Sequence, residues 1–272
     1  PSPSTASGAY QTEEPAPLGP AVVAEVAGMV EGLADREYGG FGFDVKLFHT
    51  EALDFFLYLF EATGEQAYLN HVLLTLDMMR QSRTFDTKDG GFFRYSSRRD
   101  WQEPHPEKLL DDQAALLRTY LHAFVLTDSS AYRETAEGLI DYLDTTLFDE
   151  ARGVFSGCQD YVRSQGSSTE ADSPEMLSMI DTYVYCDANA RAASAYLDAW
   201  WLLGRERCRE RARGVLEWLW ANLRAPAGAM FHYWDGAGRT PGQLMDAIMA
   251  GSALLDAYAL LGDQTSLLRS EQ

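Results

Sequence analysis

Apolar residues recur at steps of three and four along most of this chain, which is the period of an amphipathic helix and not of a strand. The step is clear at Val22, Val26, Met29 and Leu33. Similar segments cover residues 53–60, 68–79, 108–126, 132–147, 187–203, 206–223 and 244–261. The pattern predicts about eight helices, with a ninth beginning at Gln264, and almost no β-strand.

Short polar turns of similar sequence join these helices in pairs, and the turns recur roughly every 60 to 75 residues. The turns are Ala62-Thr63-Gly64-Glu65, Leu126-Thr127-Asp128-Ser129, Leu203-Gly204-Arg205-Glu206 and Leu261-Gly262-Asp263-Gln264. Longer loops with a glycine and an aromatic residue separate the pairs. They contain Gly39-Gly40-Phe41-Gly42, Gly90-Gly91-Phe92-Phe93, Gly153-Val154-Phe155 and Gly228-Ala229-Met230-Phe231.

This internal repeat predicts the fold class. Short turns make antiparallel helical hairpins, and repeated hairpins stack side by side because no single pair can bury its own apolar face. The expected fold is all-α, an incomplete (α/α) toroid whose inner helices line a hollow and whose long loops gather at one rim. Only about four hairpins are present, so we expect an incomplete ring.

We predict one toroid domain over residues 21–272, truncated at its C-terminus, after a disordered tail or linker at residues 1–20. The first 20 residues are rich in Pro, Ser, Thr, Ala and Gly and carry too little apolar surface to offset the entropy of ordering.

Charge and cysteine content limit the partners. With 22 basic and 41 acidic residues, the formal net charge is -19, which disfavours nucleic acid and anionic membranes. The absence of an apolar run of about 18 residues also argues against a membrane span. Three cysteines without Cys-x-x-Cys spacing are typical of a reducing compartment, so we expect a cytoplasmic protein.

Residues 89–114 are the segment most suited to chemistry, because they place aromatic, basic and acidic side chains beside the start of a predicted helix. His105 lies between two prolines that hold its backbone extended. We predict His105, Glu107 and Asp112 as catalytic acid and base groups, since a buried acid pair raises one pKa. Structural roles remain open: His105 could cap the helix, Glu107 could stabilise its first turn, and the acids could face water.

Other polar residues of the long loops are candidates for substrate binding. They are Arg94, Tyr95, Trp101, Lys108, Gln159, Asp160, Asp187, Asn189 and His232. Asp187 is equally well placed as the N-cap of a helix. No His or Cys pair has metal-ligand spacing and no phosphate-binding glycine loop is present, so neither a metal nor a cofactor is predicted.

The order of these motifs resembles the helical domain of the thioredoxin-domain-containing proteins that include bacterial YyaL and its mammalian spermatogenesis-associated homologue. The most specific block runs from Gly90 to Ala114, and the resemblance extends from about Val22 to the end. It implies a six-hairpin glycosidase-like fold, similar to the N-acylglucosamine 2-epimerases. The chain departs from the family at Pro106, at 111–113 and at Ala188.

Two functions therefore remain open. The first is a carbohydrate-active or carbohydrate-binding toroid with acid/base chemistry like that of an epimerase or a glycosidase, which would take a sugar or sugar derivative as ligand. The alternative is a non-catalytic scaffold that binds a protein partner such as a thioredoxin-like domain. A prenyl-type helical barrel is a more remote possibility, because the acidic metal-binding clusters of that class are not evident.

Overall fold

A computed structural model describes residues 19–163 and 176–272. Nine α-helices lie in these residues: α1 Pro20–Leu33, α2 Thr50–Thr63, α3 Gln66–Gln81, α4 Leu110–Thr127, α5 Ser130–Tyr142, α6 Cys186–Leu203, α7 Glu206–Asn222, α8 Leu244–Leu261 and α9 Gln264–Ser270. A π-helical turn, Leu143–Leu147, continues α5. The predicted tail lies outside the described residues up to position 18, and α1 already begins at Pro20.

Four antiparallel hairpins form at the predicted turns. Each of α2, α4, α6 and α8 ends at a residue in the left-handed region, namely Gly64, Asp128, Gly204 and Gly262. The backbone N–H of each donates to the carbonyl four residues earlier, which closes the last helical turn and reverses the chain. The sequence pattern located these turns correctly, because the left-handed conformation favours glycine at three of them and is also open to the aspartate at the fourth, Asp128.

The inner helices pack against each other in the order α2, α4, α6, α8, and each outer helix packs on the inner helix before it. Helix α6 is the central member, with α4 on one side and α8 on the other. Its contact faces carry small residues that allow close approach: Ala188, Ala190, Ala192, Ala193, Ala195 and Ala199 are all buried. The described helices thus form an incomplete (α/α) toroid, as predicted.

Helix α8 lies at the edge of this array. It is the described helix that is long and apolar enough, by length and composition alone, to cross a membrane. The face of α8 toward α6 is buried, and the other face exposes Leu244, Met245, Ile248 and Leu255. Its edge position accounts for that exposed face, and the expectation of no membrane partner stays a prediction.

The long loops contain eight short β-strands, so the prediction of almost no β-structure was wrong. They are β1 Glu107–Leu109, β2 Phe148–Asp149, β3 Val154–Phe155, β4 Cys158–Arg163, β5 Met176–Asp181, β6 Val184–Tyr185, β7 Phe231–Trp234 and β8 Gly238–Pro241. They form three small antiparallel sheets with strand orders β1-β4-β5, β2-β3 and β6-β7-β8. Strands of two to six residues are too short to show a clear alternation in the sequence.

A repeated aspartate turn anchors three of the loops. In each copy an aspartate lies four residues before a glycine of positive φ, and its carboxylate accepts the backbone N–H groups of the second and third residues after it. A cation pairs with each of these carboxylates. The pairs are Asp35 with Lys46, Asp86 with Lys108, and Asp149 with Arg152. These contacts fix the loops at the rim of the toroid.

Candidate active site

A cleft of about 330 Å³ opens at the rim, where the β1-β4-β5 sheet meets the beginnings of α4 and α6 and strand β7. It is lined on several sides by ionisable side chains. The carboxylates and the imidazole among them are Glu107, Asp111, Asp181, Asp187 and His232. Because these groups come from five separate elements, only the tertiary structure brings them together.

The alternation of the small sheet decides which side chains reach the cleft. Glu107 pairs with Asp160, and Leu109 pairs with Cys158, on the face toward the cleft. The residues between them, Lys108 and Gln159, are buried on the opposite face. Neighbouring residues that were predicted to share one site therefore lie on opposite sides of the sheet.

The predicted catalytic pair His105 and Glu107 lies at the edge of the cleft. Arg94 donates from Nη1 to Glu107 Oε2 at 2.8 Å, and the His105 ring stacks on Tyr95 with ring centroids 4.8 Å apart. His105 Nδ1 is 4.0 Å from Glu107 Oε2, too far for a hydrogen bond.

The helix expected to begin near Glu107 begins instead at Leu110. Pairing of residues 107–109 with β4 holds this segment extended, so the predicted helical roles of Glu107 and His105 were wrong. Neither residue lies in the first turn of α4 or caps it.

Asp111 and Asp112 occupy the first turn of α4. Asp111 Oδ1 is 2.8 Å from Arg191 Nε, and the same arginine contacts Glu51 on α2. Burial raises the pKa of Asp111, although Arg191 opposes the shift. Burial and the neighbouring charge of Asp111 raise the pKa of Asp112 to about 7, against the opposing effect of Arg94. A carboxyl group that keeps its proton near neutral pH is suited to donate it.

This pKa predicts how stability depends on pH. The folded protein holds the Asp112 proton up to about pH 7, whereas the ordinary value is 3.8. The free energy of unfolding should therefore fall as pH rises from about 4 to about 7. Asp112→Asn should remove this loss and stabilise the protein at pH 8 by up to about 4 kcal/mol, at about 1.4 kcal/mol for each pKa unit. Urea unfolding at pH 5 and pH 8 measures the difference.

Asp263→Asn is the control for the Asp112 prediction. Hydrogen bonds from Ser266 and from the backbone lower the pKa of Asp263, so its stabilising effect is present above the ordinary pKa and is lost as pH falls. Its substitution should destabilise the protein at pH 8. If both variants change the free energy of unfolding at pH 8 in the same direction, the assignment of a buried, protonated Asp112 is contradicted.

His232 is the second imidazole of the rim, and it faces the cleft from β7. Its Nδ1 lies 3.1 and 3.2 Å from the two carboxylate oxygens of Asp246 in the first turn of α8. Asp246 is completely buried. Burial raises its pKa, and the hydrogen bond with His232 lowers it in part. In the neutral tautomer in which Nδ1–H donates to this carboxylate, the lone pair of the ring is on Nε2.

Sequence reasoning missed Asp246. It lies 14 residues after His232 on a different element, and its signal was only an acid near the start of an otherwise apolar helix. Among the described residues, ligand atoms of Asp187, His232 and Asp246 all lie within 4.8 Å of one another. Two carboxylates and an imidazole form a donor set suited to a divalent cation. No spacing rule could reveal this group, because its members come from three elements.

Three residues predicted to bind substrate are buried structural residues instead. Trp101 is fully buried, and its Nε1 donates to the Tyr38 carbonyl. Lys108 is fully buried against Asp86, at 2.6 Å. Gln159 accepts a hydrogen bond from the Tyr142 hydroxyl. The sequence predicted these polar and aromatic side chains at the rim, but each one makes a buried hydrogen bond or ion pair with a neighbouring segment instead.

Asn189 is also structural. Its Nδ2 donates to the carbonyls of Phe155 and Tyr185, and its Oδ1 accepts from the Phe155 N–H. Gln113 holds Phe92 in the same way from the matching fourth position of α4. The amide side chain therefore anchors a rim loop to an inner helix. Asp187, for which substrate binding and an N-cap role were both open, does not cap α6: it lies within the first turn after the cap residue at 185 and lines the cleft.

Asn189→Ala should lower the free energy of unfolding by about 2–3 kcal/mol, because buried backbone groups of Phe155 lose their partners. The exposed Asn70 pairs only with Gln66 and provides a matched control, so Asn70→Ala should change the value by less than about 0.5 kcal/mol. Urea denaturation measures both variants. If Asn189→Ala leaves stability intact and weakens a ligand, the residue binds substrate after all.

No protein-family model matches this chain. It is 35% identical over 127 residues to spermatogenesis-associated protein 20 of Mus musculus and of Homo sapiens. Over these residues the chain is similar to spermatogenesis-associated protein 20. The match covers 45% of this chain and 16% of each relative, so this chain spans only a small part of their length. The resemblance inferred from the motifs is confirmed.

Solved structures confirm the predicted six-hairpin glycosidase-like fold. Cellobiose 2-epimerase from Bacillus thermoamylovorans superposes with a TM-score of 0.73 at 14% identity, over 92% of this chain and 70% of the epimerase. A D-mannose isomerase has a TM-score of 0.67 at 13% identity, over 93% and 69%. A family 76 mannosidase from Bacteroides thetaiotaomicron has a TM-score of 0.57 at 12% identity, over 79% and 54%.

Proposed function

We propose that the rim cleft catalyses proton transfer on a sugar, of the epimerase or isomerase type. The observation that carries this proposal is the His232 imidazole, which faces the cleft while a fully buried carboxylate, Asp246, holds its Nδ1. An oriented neutral imidazole is suited to remove a proton from a carbon next to a carbonyl group. Sugar epimerases and isomerases among the structures with the same fold support this choice.

The side chains of the cleft can perform each proton transfer. Nε2 of His232 takes the proton from the carbon beside the carbonyl, and the electrons of that C–H bond form the carbon–carbon double bond of an enediol. Asp111, which lines the cleft and whose pKa is raised by burial, supplies the proton that the carbonyl oxygen gains. For isomerisation, Nε2, whose proton exchanges with solvent, returns a proton to the former carbonyl carbon, and the Asp111 carboxylate takes the proton of the neighbouring hydroxyl, which becomes the new carbonyl. For epimerisation, the enediol turns over in the cleft, the proton returns to the opposite face of the original carbon, and Asp111 takes back the proton that it gave to the carbonyl oxygen.

Glycoside cleavage is the second candidate. The two consecutive acids Asp111 and Asp112 favour it, because hydrolysis of a glycosidic bond uses a pair of carboxyl groups. An α-1,6-mannanase of the same fold is inactive when two consecutive aspartates are replaced by alanine. The imidazole that lines the cleft is better explained by proton transfer next to a carbonyl, so we rank cleavage second.

Incubation with aldoses and disaccharides in D₂O separates these reactions. Epimerisation or isomerisation should place deuterium on the carbon next to the carbonyl and yield a new sugar, which NMR detects. Release of monosaccharides from a disaccharide without deuterium incorporation would instead support cleavage. Neither reaction, together with no sugar binding by isothermal titration, would overturn the proposal and favour the protein-binding scaffold.

A further inference from the structure

A second pocket of about 370 Å³ lies inside the hollow, on the concave faces of α2, α4 and α6. Its polar lining consists of Asp54, Arg118, His122 and Asp198, and Trp201 forms its aromatic wall. Arg118 lies seven residues after Asp111 on the same helix, which places this pocket roughly 10 Å deeper than the rim cleft.

The polar groups of this pocket are held in place. Arg118 Nε donates to Asp198 Oδ2 at 2.7 Å, and Thr119 donates to Asp54 at 3.3 Å. Burial raises the pKa of Asp54 and of Asp198, while Arg118 opposes both shifts. The pocket thus presents fixed carboxyl and guanidinium groups, which are partners for several hydroxyl groups at once.

Trp201 is 64% exposed, although it lies on the most enclosed inner helix. The exposure is not an effect of the open edge of the array, because α6 has α4 on one side and α8 on the other. Trp200, one residue earlier, is partly covered and donates from Nε1 to Glu206. The Trp201 indole therefore faces the hollow, and a large aromatic side chain beside polar groups is typical of a ligand site.

We propose that this pocket binds a second sugar ring, so that the ligand of the protein is an oligosaccharide that reaches from the rim cleft into the hollow. The inference rests on the proposed function, because it takes the rim cleft as the first sugar site. One face of a pyranose ring carries C–H groups that pack on an indole, while its edge hydroxyls bond to carboxylate and guanidinium groups. The depth of roughly 10 Å requires a chain of more than one ring.

Isothermal titration with glucose, cellobiose and cellotriose, and with mannose and its α-1,6-linked di- and trisaccharides, tests the inference. The affinity should rise with the number of sugar rings in either the glucose series or the mannose series. Trp201→Ala should weaken oligosaccharide binding about tenfold, equivalent to about 1.4 kcal/mol, and leave monosaccharide binding unchanged. Trp201→Phe should retain most of the gain, and the control Trp200→Phe should retain all of it.

Equal affinity for one and three rings, or equal weakening of monosaccharide and oligosaccharide binding by Trp201→Ala, would overturn the second site. The proposed function fails separately, through an absence of proton exchange in D₂O. Length-dependent binding that needs Trp201, without any exchange, would uphold the second site and reject the catalytic role of the rim. Circular dichroism of each variant confirms that the helices are intact.

Discussion

Alanine in place of His232 is expected to slow proton exchange on a sugar by about 10²- to 10⁴-fold, the usual effect of losing a positioned acid or base. The loss should appear in kcat, since the imidazole acts on the reacting carbon and contributes little to binding. Asp246→Asn should also slow exchange and change its pH profile, because the amide no longer fixes the proton on Nδ1. Deuterium incorporation followed by NMR across pH 5 to 9 measures both.

His105→Ala is the matched control, because it removes the other rim imidazole. That ring stacks on Tyr95, and 43% of its side chain is exposed at the edge of the cleft. We expect only a small change in rate. If His105→Ala slows proton exchange more than His232→Ala does, the catalytic residue is His105, as the sequence predicted, and our assignment of His232 is wrong.

The largest expected effect on stability follows Asp35→Ala, which should lower the free energy of unfolding by about 3–5 kcal/mol. Asp35 and Lys46 form an ion pair of 2.7 Å in which both side chains are completely buried. Burial alone would raise the pKa of Asp35, but hydrogen bonds from Arg99 and Lys46 lower it well below its ordinary range. Alanine would leave the Lys46 ammonium buried without its carboxylate.

Urea denaturation of Asp35→Ala should be compared with Asp100→Ala. Asp100 pairs with Arg98 on the exposed surface of the same loop region, where an ion pair has little effect on stability. Similar free energies of unfolding for the two variants would contradict a stabilising buried pair. The contribution of Asp35 should also disappear in acid, because a carboxyl with a lowered pKa stabilises the fold only while it is ionised.

The candidate site was predictable in part. The rim location, Glu107, Asp187 and His232 came from the composition of the long loops, and the structure places all three in one cleft. The burial of Trp101 in a loop and of Asn189 in the first turns of α6 was not predictable, because a polar or aromatic side chain has the same local signal whether it faces a ligand or a buried backbone group. Only the neighbouring residues in the folded protein show whether such a side chain binds a ligand or a backbone group.

Helices, hairpin turns and the order of the hairpins were determined by the sequence alone, because a period of 3.6 residues and a left-handed glycine are properties of the local chain. Only the tertiary structure decided that residues 107–109 form a strand, that Asp246 holds His232, and that Trp201 faces the hollow. Each depends on partners far away in the sequence. The local periodicity of the sequence does not identify those partners. The burial and the pKa of a side chain depend on its partners, so neither can be predicted from the periodicity.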